Sequence, residues 1–314
     1  MKELRELWRF REVLFNLVRR NLKVRYKNSV LGFFWSLLNP LMQIGVWWLV
    51  FKVILENEQK DYTAQLITGF LPWLFFSQCV LDGTACVVQE MALVKKAYFP
   101  RAVLPLSALV SNLVHLCLAF VVMLGLFTIW RVDFNVHYWL VIPSTVLVAT
   151  FAYGISAMVA AWSVFYADVK FIVGNLLGLW FFLTPVLYPL FLVLNKQEVA
   201  PGAWLKSLIS GLLPYIKAVY LLDPVTVGIL GYRSGLLMGG GNPIVVTPDA
   251  LVKPGMPPEA IRMAEAHAPI LQAHLRADYP LSPYIIGAAL IALATAVIGH
   301  LIFRRMARVF PERG

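Results

Sequence analysis

Charged residues are scarce in this chain. They fill 14% of its 314 positions while hydrophobic residues fill 60%, against about 25% and about 45–50% in soluble domains. A soluble fold of this length has no interior able to hide so much apolar surface, whereas a bilayer solvates it directly. The shortage excludes an ordinary soluble enzyme, a disordered chain and a fibrous repeat. Cysteine is nearly absent: Cys79, Cys86 and Cys117 sit in apolar runs with no His or Cys at metal-ligand spacing, so they read as small core residues. No Gly-x-x-x-x-Gly-Lys-[Ser/Thr] occurs, so this sequence shows no P-loop for nucleotide phosphates. The seven aspartates (Asp61, Asp82, Asp133, Asp168, Asp223, Asp249 and Asp278) are isolated from one another. That argues against a membrane glycosyltransferase or phospholipid-processing enzyme, which wants clustered carboxylates around a metal-bound pyrophosphate. The first 29 residues hold no continuous apolar run, so no cleavable signal is expected.

What the chain does have is long apolar stretches. Six of them, at 30–51, 62–89, 102–130, 134–167, 171–195 and 279–303, reach the roughly 20 residues that a membrane helix needs. The expected fold is therefore an all-α integral membrane domain over 30–303 with six spans. A seventh stretch at 207–222 is shorter and carries Pro214 and Lys217, which suits a re-entrant external hairpin within 200–233 better than a span.

The formal charge of +10 does not point to nucleic acid, because no soluble basic domain is visible. Its distribution follows topology instead. Residues 1–29 hold nine Lys and Arg against three Glu, the Glu90–Arg101 connection three against one, and the 304–314 tail four against one. The short connections Lys52–Asp61 and Arg131–Asp133 hold three between them. The positive-inside rule then puts both termini in the cytoplasm of an inner-membrane, multi-pass protein.

Leu4, Leu7, Trp8, Phe15, Val18 and Leu22 recur at helical spacing among arginines, which predicts a basic amphipathic helix within 1–29, on the membrane's inner face or on a partner. A polar insertion at 235–278 opens with Gly239-Gly240-Gly241-Asn242-Pro243, passes through the β-branched run Ile244–Thr247 and ends in a helix from about Pro258 to Ala277. His267 and His274 share a face of that helix, but with no third ligand in reach a solvated face is expected and no metal site is assigned. Asp82 is the only carboxylate at membrane depth, near Ser77, Gln78 and Thr84. An intramembrane charge is a functional candidate by default. A proton relay would need an ionisable partner, and His115, His137 and His300 are the only other such groups in the spans, so a water-facing position or a polar tie between helices is expected. Gly174-x-x-x-Gly178 would let another helix approach closely, a weak signal for contact with a second copy.

The densest motif runs from Asn21 to Pro40, where a cationic stretch enters an aromatic-rich span whose helix is expected to break at Pro40. This segment resembles the permease subunits of ATP-binding-cassette polysaccharide exporters, the family of O-antigen and teichoic-acid exporters. Leu93–Arg101, Tyr166-Ala167-Asp168-Val169 and Phe181–Pro189 resemble the same family in the same order, although Ala167 departs from its usual Arg. Leu222-Asp223-Pro224 through Tyr232-Arg233 is a weaker match, with Asp223 where Asn is usual. The resemblance covers 10–233 and the last span, and leaves the insertion out.

The resemblance implies a non-enzymatic channel subunit, two copies of it with two ATPase subunits, and a glycan on a lipid pyrophosphate as cargo. No cofactor is then expected in this chain, ATP and Mg being held by the partner ATPase. Its coupling contacts would fall on Trp8, Arg11, Lys95, Lys96, Tyr98, Phe99 and Arg101. The anionic head group would meet Arg19, Arg20, Lys23, Arg25 and Lys27, where general attraction to anionic lipid is an equal account. A sliding sugar chain wants flat apolar surfaces, for which Phe33, Phe34, Trp35, Trp47, Trp48, Trp180, Phe181, Phe182 and Tyr188 are candidates. Interfacial Trp and Tyr and lipid-facing Phe are the competing reading. A drug or small-molecule exporter of the same superfamily would share six spans and a separate ATPase. A proton-driven secondary transporter would show internal repeats and paired charges, and neither is seen.

Overall fold

The computed structural model describes residues 8–26, 34–54, 62–96, 98–132, 137–188, 190, 215, 217–237, 256–278 and 281–310. The Ile244–Thr247 run, residues 200–214 and 216 of the 200–233 segment and both chain ends lie outside the described residues. Among the described residues the fold is helical throughout: α1 Arg11–Tyr26, α2 Phe34–Trp48, α3 Tyr62–Cys86, α4 Met91–Lys96, α5 Val103–Ile129, α6 Val141–Ser163, α7 Val169–Leu183, α8 Pro224–Leu236, α9 Pro258–Asp278 and α10 Leu281–Ala307.

Four segments are long and apolar enough to cross a bilayer, and their hydropathy runs opposite to their burial. The α3 helix has mean hydropathy 1.4 and is 83% buried, the Tyr138–Ser163 segment 1.7 and 39%, α5 2.3 and 22%, and α10 2.4 and 17%. In water the order would be reversed. The most apolar helices face outward because lipid is their solvent, and the helix that carries Gln65, Thr68, Ser77 and Thr84 is enclosed by the others. Helices α5, α6, α7 and α8 all pack on α3, and α10 packs on α6. That last contact is backbone to backbone: a Cβ on Gly299 would fall on the carbonyl of Gly154, so only hydrogen fits at this crossing.

The remaining two expected spans are shorter. The α2 helix has 15 residues and continues as a six-residue π-helical turn, Leu49–Ile54. The break expected at Pro40 is absent. Helix α2 runs through it, because one missing backbone bond is less costly in a membrane than an unwound segment, and the irregularity falls at Leu49–Ile54 instead. The α7 helix also has 15 residues, about 22 Å at 1.5 Å per residue. The stretch expected to continue to Asn195 leaves the helix at Thr184, whose ψ of 140° is the extended conformation that a following proline imposes.

Two apolar clusters hold the bundle. The larger gathers Phe70, Trp73, Phe76, Phe151, Ile229 and Tyr232 around the middle of α3. The second lies at the basic end and joins Leu17 of α1, Val87, Val94 of α4, Phe99, Ala157 of α6, and Phe303 and Phe310. The α8 helix begins with a complete N-cap: Asp223 accepts from the amides of Val225 and Thr226 at 3.2 and 3.1 Å and from the Thr226 hydroxyl at 2.8 Å, with Pro224 in the first turn. The helix in the insertion begins at Pro258 as expected.

Candidate functional site

The basic end is built on α1. Leu17 and Val18 are buried while Trp8 and Phe15 are exposed, so the helix is amphipathic with apolar rings left over on its outer side. The Arg11 guanidinium lies over the Trp8 ring, 5.5 Å from its centroid. Arg19 and Lys23 are exposed, as a head-group role needs. Arg20 is not free for that role, because it forms an ion pair with Glu90 and donates from Nη1 to Oε2 at 2.7 Å. Arg25 lies in the last turn of α1, but its side chain and all of Lys27 lie outside the described residues, as do Phe33 and the side chains of Phe34 and Trp35.

The expected coupling connection contains the short helix α4. Lys95 and Lys96 are exposed in its last turn, Tyr98 is 93% exposed and Arg101 is partly buried. Phe99 points the other way. It is 7% exposed and packed in the basic-end cluster, so its ring anchors the connection and leaves Tyr98 to make outside contacts.

Between α1, the end of α3 and the first half of α5 lies a cleft of about 220 Å³, lined by Arg20, Asp82, Gln89, Glu90, Ser111 and His115 among others. Asp82 accepts a hydrogen bond from Asn112 Nδ2 at 2.7 Å, and Asn112 also donates to the Ala108 carbonyl. Asp82 is thus both a tie between α3 and α5 and part of the wall of this cleft, and His115 shares that wall. The other two histidines are elsewhere: His300 Nδ1 is 2.8 Å from the Tyr153 hydroxyl across the α6–α10 contact, and His137 is exposed. Among the described residues no group of three His, Cys, Asp or Glu could hold a metal ion.

The aromatic candidates divide. Trp47 stacks on Phe181 with centroids 5.2 Å apart and meets Phe70 edge-on at 4.8 Å. Trp180 meets Phe76 and Phe151 edge-on at 5.2 and 6.0 Å. These rings are built into the packing around α3. Phe182 and Trp48 face outward, and Tyr188 is partly buried.

Sequence reasoning missed a cluster at the opposite end of the bundle. Arg233, 5% exposed near the end of α8, donates to the carbonyls of Val186 at 2.8 Å and of Gln65 and Tyr188 at 3.3 Å. The Tyr62 hydroxyl donates to the Leu187 carbonyl at 2.9 Å. The Tyr188 hydroxyl reaches the Phe182 and Leu183 carbonyls, both at 3.1 Å, and pairs with the Tyr220 hydroxyl at 2.6 Å. A lone arginine inside an otherwise apolar α8 was the available signal.

Residues 12–193 match the family model described as the ABC-2 type transporter. The chain is 35% identical over 223 residues to the O-antigen export system permease protein RfbA of Myxococcus xanthus, covering 69% of this chain and 83% of that protein. Two proteins of the same name from Klebsiella pneumoniae are 30% and 29% identical over 178 residues, covering 56% of this chain and 69% of each. The family match spans more than half of the sequence and reaches from α1 past the end of α7, across the helices that carry the cleft and the aromatic core, and the chain belongs to the ABC-2 type transporter family as a multi-pass membrane permease.

Proposed function

We propose that this chain is the permease subunit of an ATP-driven exporter that moves a lipid-linked polysaccharide of the O-antigen kind out through the inner membrane. The observation that carries the reading is its 35% identity to an O-antigen export permease over 83% of that protein's length. The transporter works as two copies of this chain with two copies of a P-loop ATPase, which binds ATP and Mg. Six spans are reached by adding α2 with its π-helical turn and the short α7 to the four long helices, with both termini cytoplasmic and a re-entrant external element within 200–233. The exposed Trp8, Arg11, Lys95, Lys96 and Tyr98 at the basic end fit the ATPase contact. Arg19 and Lys23, exposed on the same helix, support a head-group contact in which each would contribute about 1 kcal/mol.

The test is reconstitution. The purified chain alone is expected to hydrolyse no ATP, and together with an ATPase subunit to carry a pyrophosphate-linked glycan across a vesicle membrane. Deleting the chain in cells should strand that lipid-linked glycan on the inner leaflet. Unaided ATP hydrolysis, sugar transfer by the chain alone, or transport of a small drug in place of the glycan would overturn the reading.

A further inference from the structure

The fifth hydrophobic helix stops early. At about 22 Å, α7 is shorter than a hydrocarbon core of about 30 Å, so the extended stretch that follows Thr184 begins at membrane depth. Backbone there has neither helix partners nor water, and it survives only where protein supplies the donors. The supply is specific. Tyr188 returns its hydroxyl to the last carbonyls of α7, Tyr62 serves Leu187, and Arg233 serves Val186, Tyr188 and Gln65.

Arg233 is unusual among these donors. It is a buried cation, and among the described residues no carboxylate lies within ion-pair distance of it. Its neighbours are carbonyl oxygens from two separate parts of the chain: Nη2 donates to Val186 and Gln65 and Nη1 to Tyr188, so the rigid fork holds the strap at two points, whereas the shorter lysine side chain presents one nitrogen. Gly69 makes the space: a Cβ there would lie 2.9 Å from Arg233 Nη2 and 3.2 Å from the Val186 carbonyl. A full charge kept at this depth for packing alone would be a poor choice, since a Met of similar length would pack without the desolvation.

We infer that Arg233 is a positioning residue for export: it fastens the strap Thr184–Tyr188 to the first turns of α3 and so fixes the outer end of α7. Phe181, three residues before that strap, is stacked on Trp47 and packed on Trp73 with centroids 5.7 Å apart, so the fastening also fixes where these rings stand. The consequence for export rests on the exporter reading above; the fastening itself does not.

The experiment separates the two. Val186 is fully buried, so Val186→Cys in lipid nanodiscs should react slowly with a charged maleimide, measured above the parent protein. Adding Arg233→Met should raise that rate at least tenfold, since one charge-assisted bond alone is worth about that much to a local opening and three are lost. Arg233→Lys should label almost as fast as Arg233→Met, and Gly69→Ala, which keeps the charge and only crowds it, should move the rate the same way by less. In the reconstituted complex without the added cysteine, Arg233→Met and Arg233→Lys should lower glycan export several-fold while ATP hydrolysis continues. Unchanged labelling in Arg233→Met, or full rescue by Lys, overturns the inference. Faster labelling with undiminished export overturns the positioning role. If Arg233→Met yields no folded protein, Gly69→Ala carries both readouts. If the unaltered complex exports no glycan, the exporter reading falls and the labelling still decides the fastening.

Discussion

Arg20 of α1 and Glu90 at the turn into α4 are 70 residues apart in sequence and joined as an ion pair, with the Glu90 side chain 8% exposed. The pair ties the amphipathic helix to the connection after α3. Both segments are proposed to touch the ATPase, so a push on either one is felt by the other.

Replacing Arg20 by Gln leaves a buried carboxylate short of its cation, at a cost of about 1–3 kcal/mol. Glycan export per ATP hydrolysed should fall several-fold, and exchanging the charges, Arg20→Glu with Glu90→Arg, should recover part of it. Equal export in Arg20→Gln would show that α1 needs no tie.

Tyr98 and Phe99 are neighbours with opposite surroundings, and their alanine variants should separate. Tyr98→Ala should leave the thermal midpoint of the purified chain within a degree or two and weaken stimulation of the ATPase. Phe99→Ala should lower the midpoint itself, because emptying a packed aromatic site costs about 3–5 kcal/mol.

Asp82 can be tested by what its substitutes retain. Asn at this position still accepts from Asn112, whereas Leu cannot, so Asp82→Asn should be nearly as stable in detergent as the parent and Asp82→Leu slightly less so. The difference should be small, about 0.6 kcal/mol for one intramembrane hydrogen bond. Loss of export in Asp82→Asn at unchanged stability would instead point to a role for the charge in the cleft.

At the α6–α10 crossing no side chain fits. Gly299→Ala should force the helices apart and cost about 1–3 kcal/mol, read as a lower thermal midpoint and a smaller monodisperse fraction on size exclusion. Ala at Gly174 or Gly178, which face open space in the single chain, should leave the monomer's stability unchanged.

Much of this fold was visible as hydropathy. The long helices, the amphipathic α1 and the helix from Pro258 follow from local rules about apolar length, spacing and helix starts. The early end of α7 was also local, in Thr184-Pro185, but an apolar run extending beyond it hid the break. Pro40 shows the converse error, since a rule calibrated in water overstates what one proline does in lipid. The pairings were beyond reach. Nothing near Arg20 marks Glu90 as its partner, and nothing near Arg233 shows that Val186 and Gln65 will bring carbonyls to it. Aromatic residues at Trp47, Trp180 and Phe181 suggested a surface for sugar, and composition alone could not reveal that they interlock around α3.

The enclosure of α3 bears on how the protein is made. This segment leaves the ribosome second among the apolar stretches, before α5, α6 and α8 exist to shelter it, and it carries Gln65, Thr68, Ser77 and Thr84 along with Asp82, all of which oppose insertion. Its modest hydropathy gives little to offset that, so nascent α3 should linger at the translocon, or under an insertase, until its later neighbours emerge and take over the role of solvent.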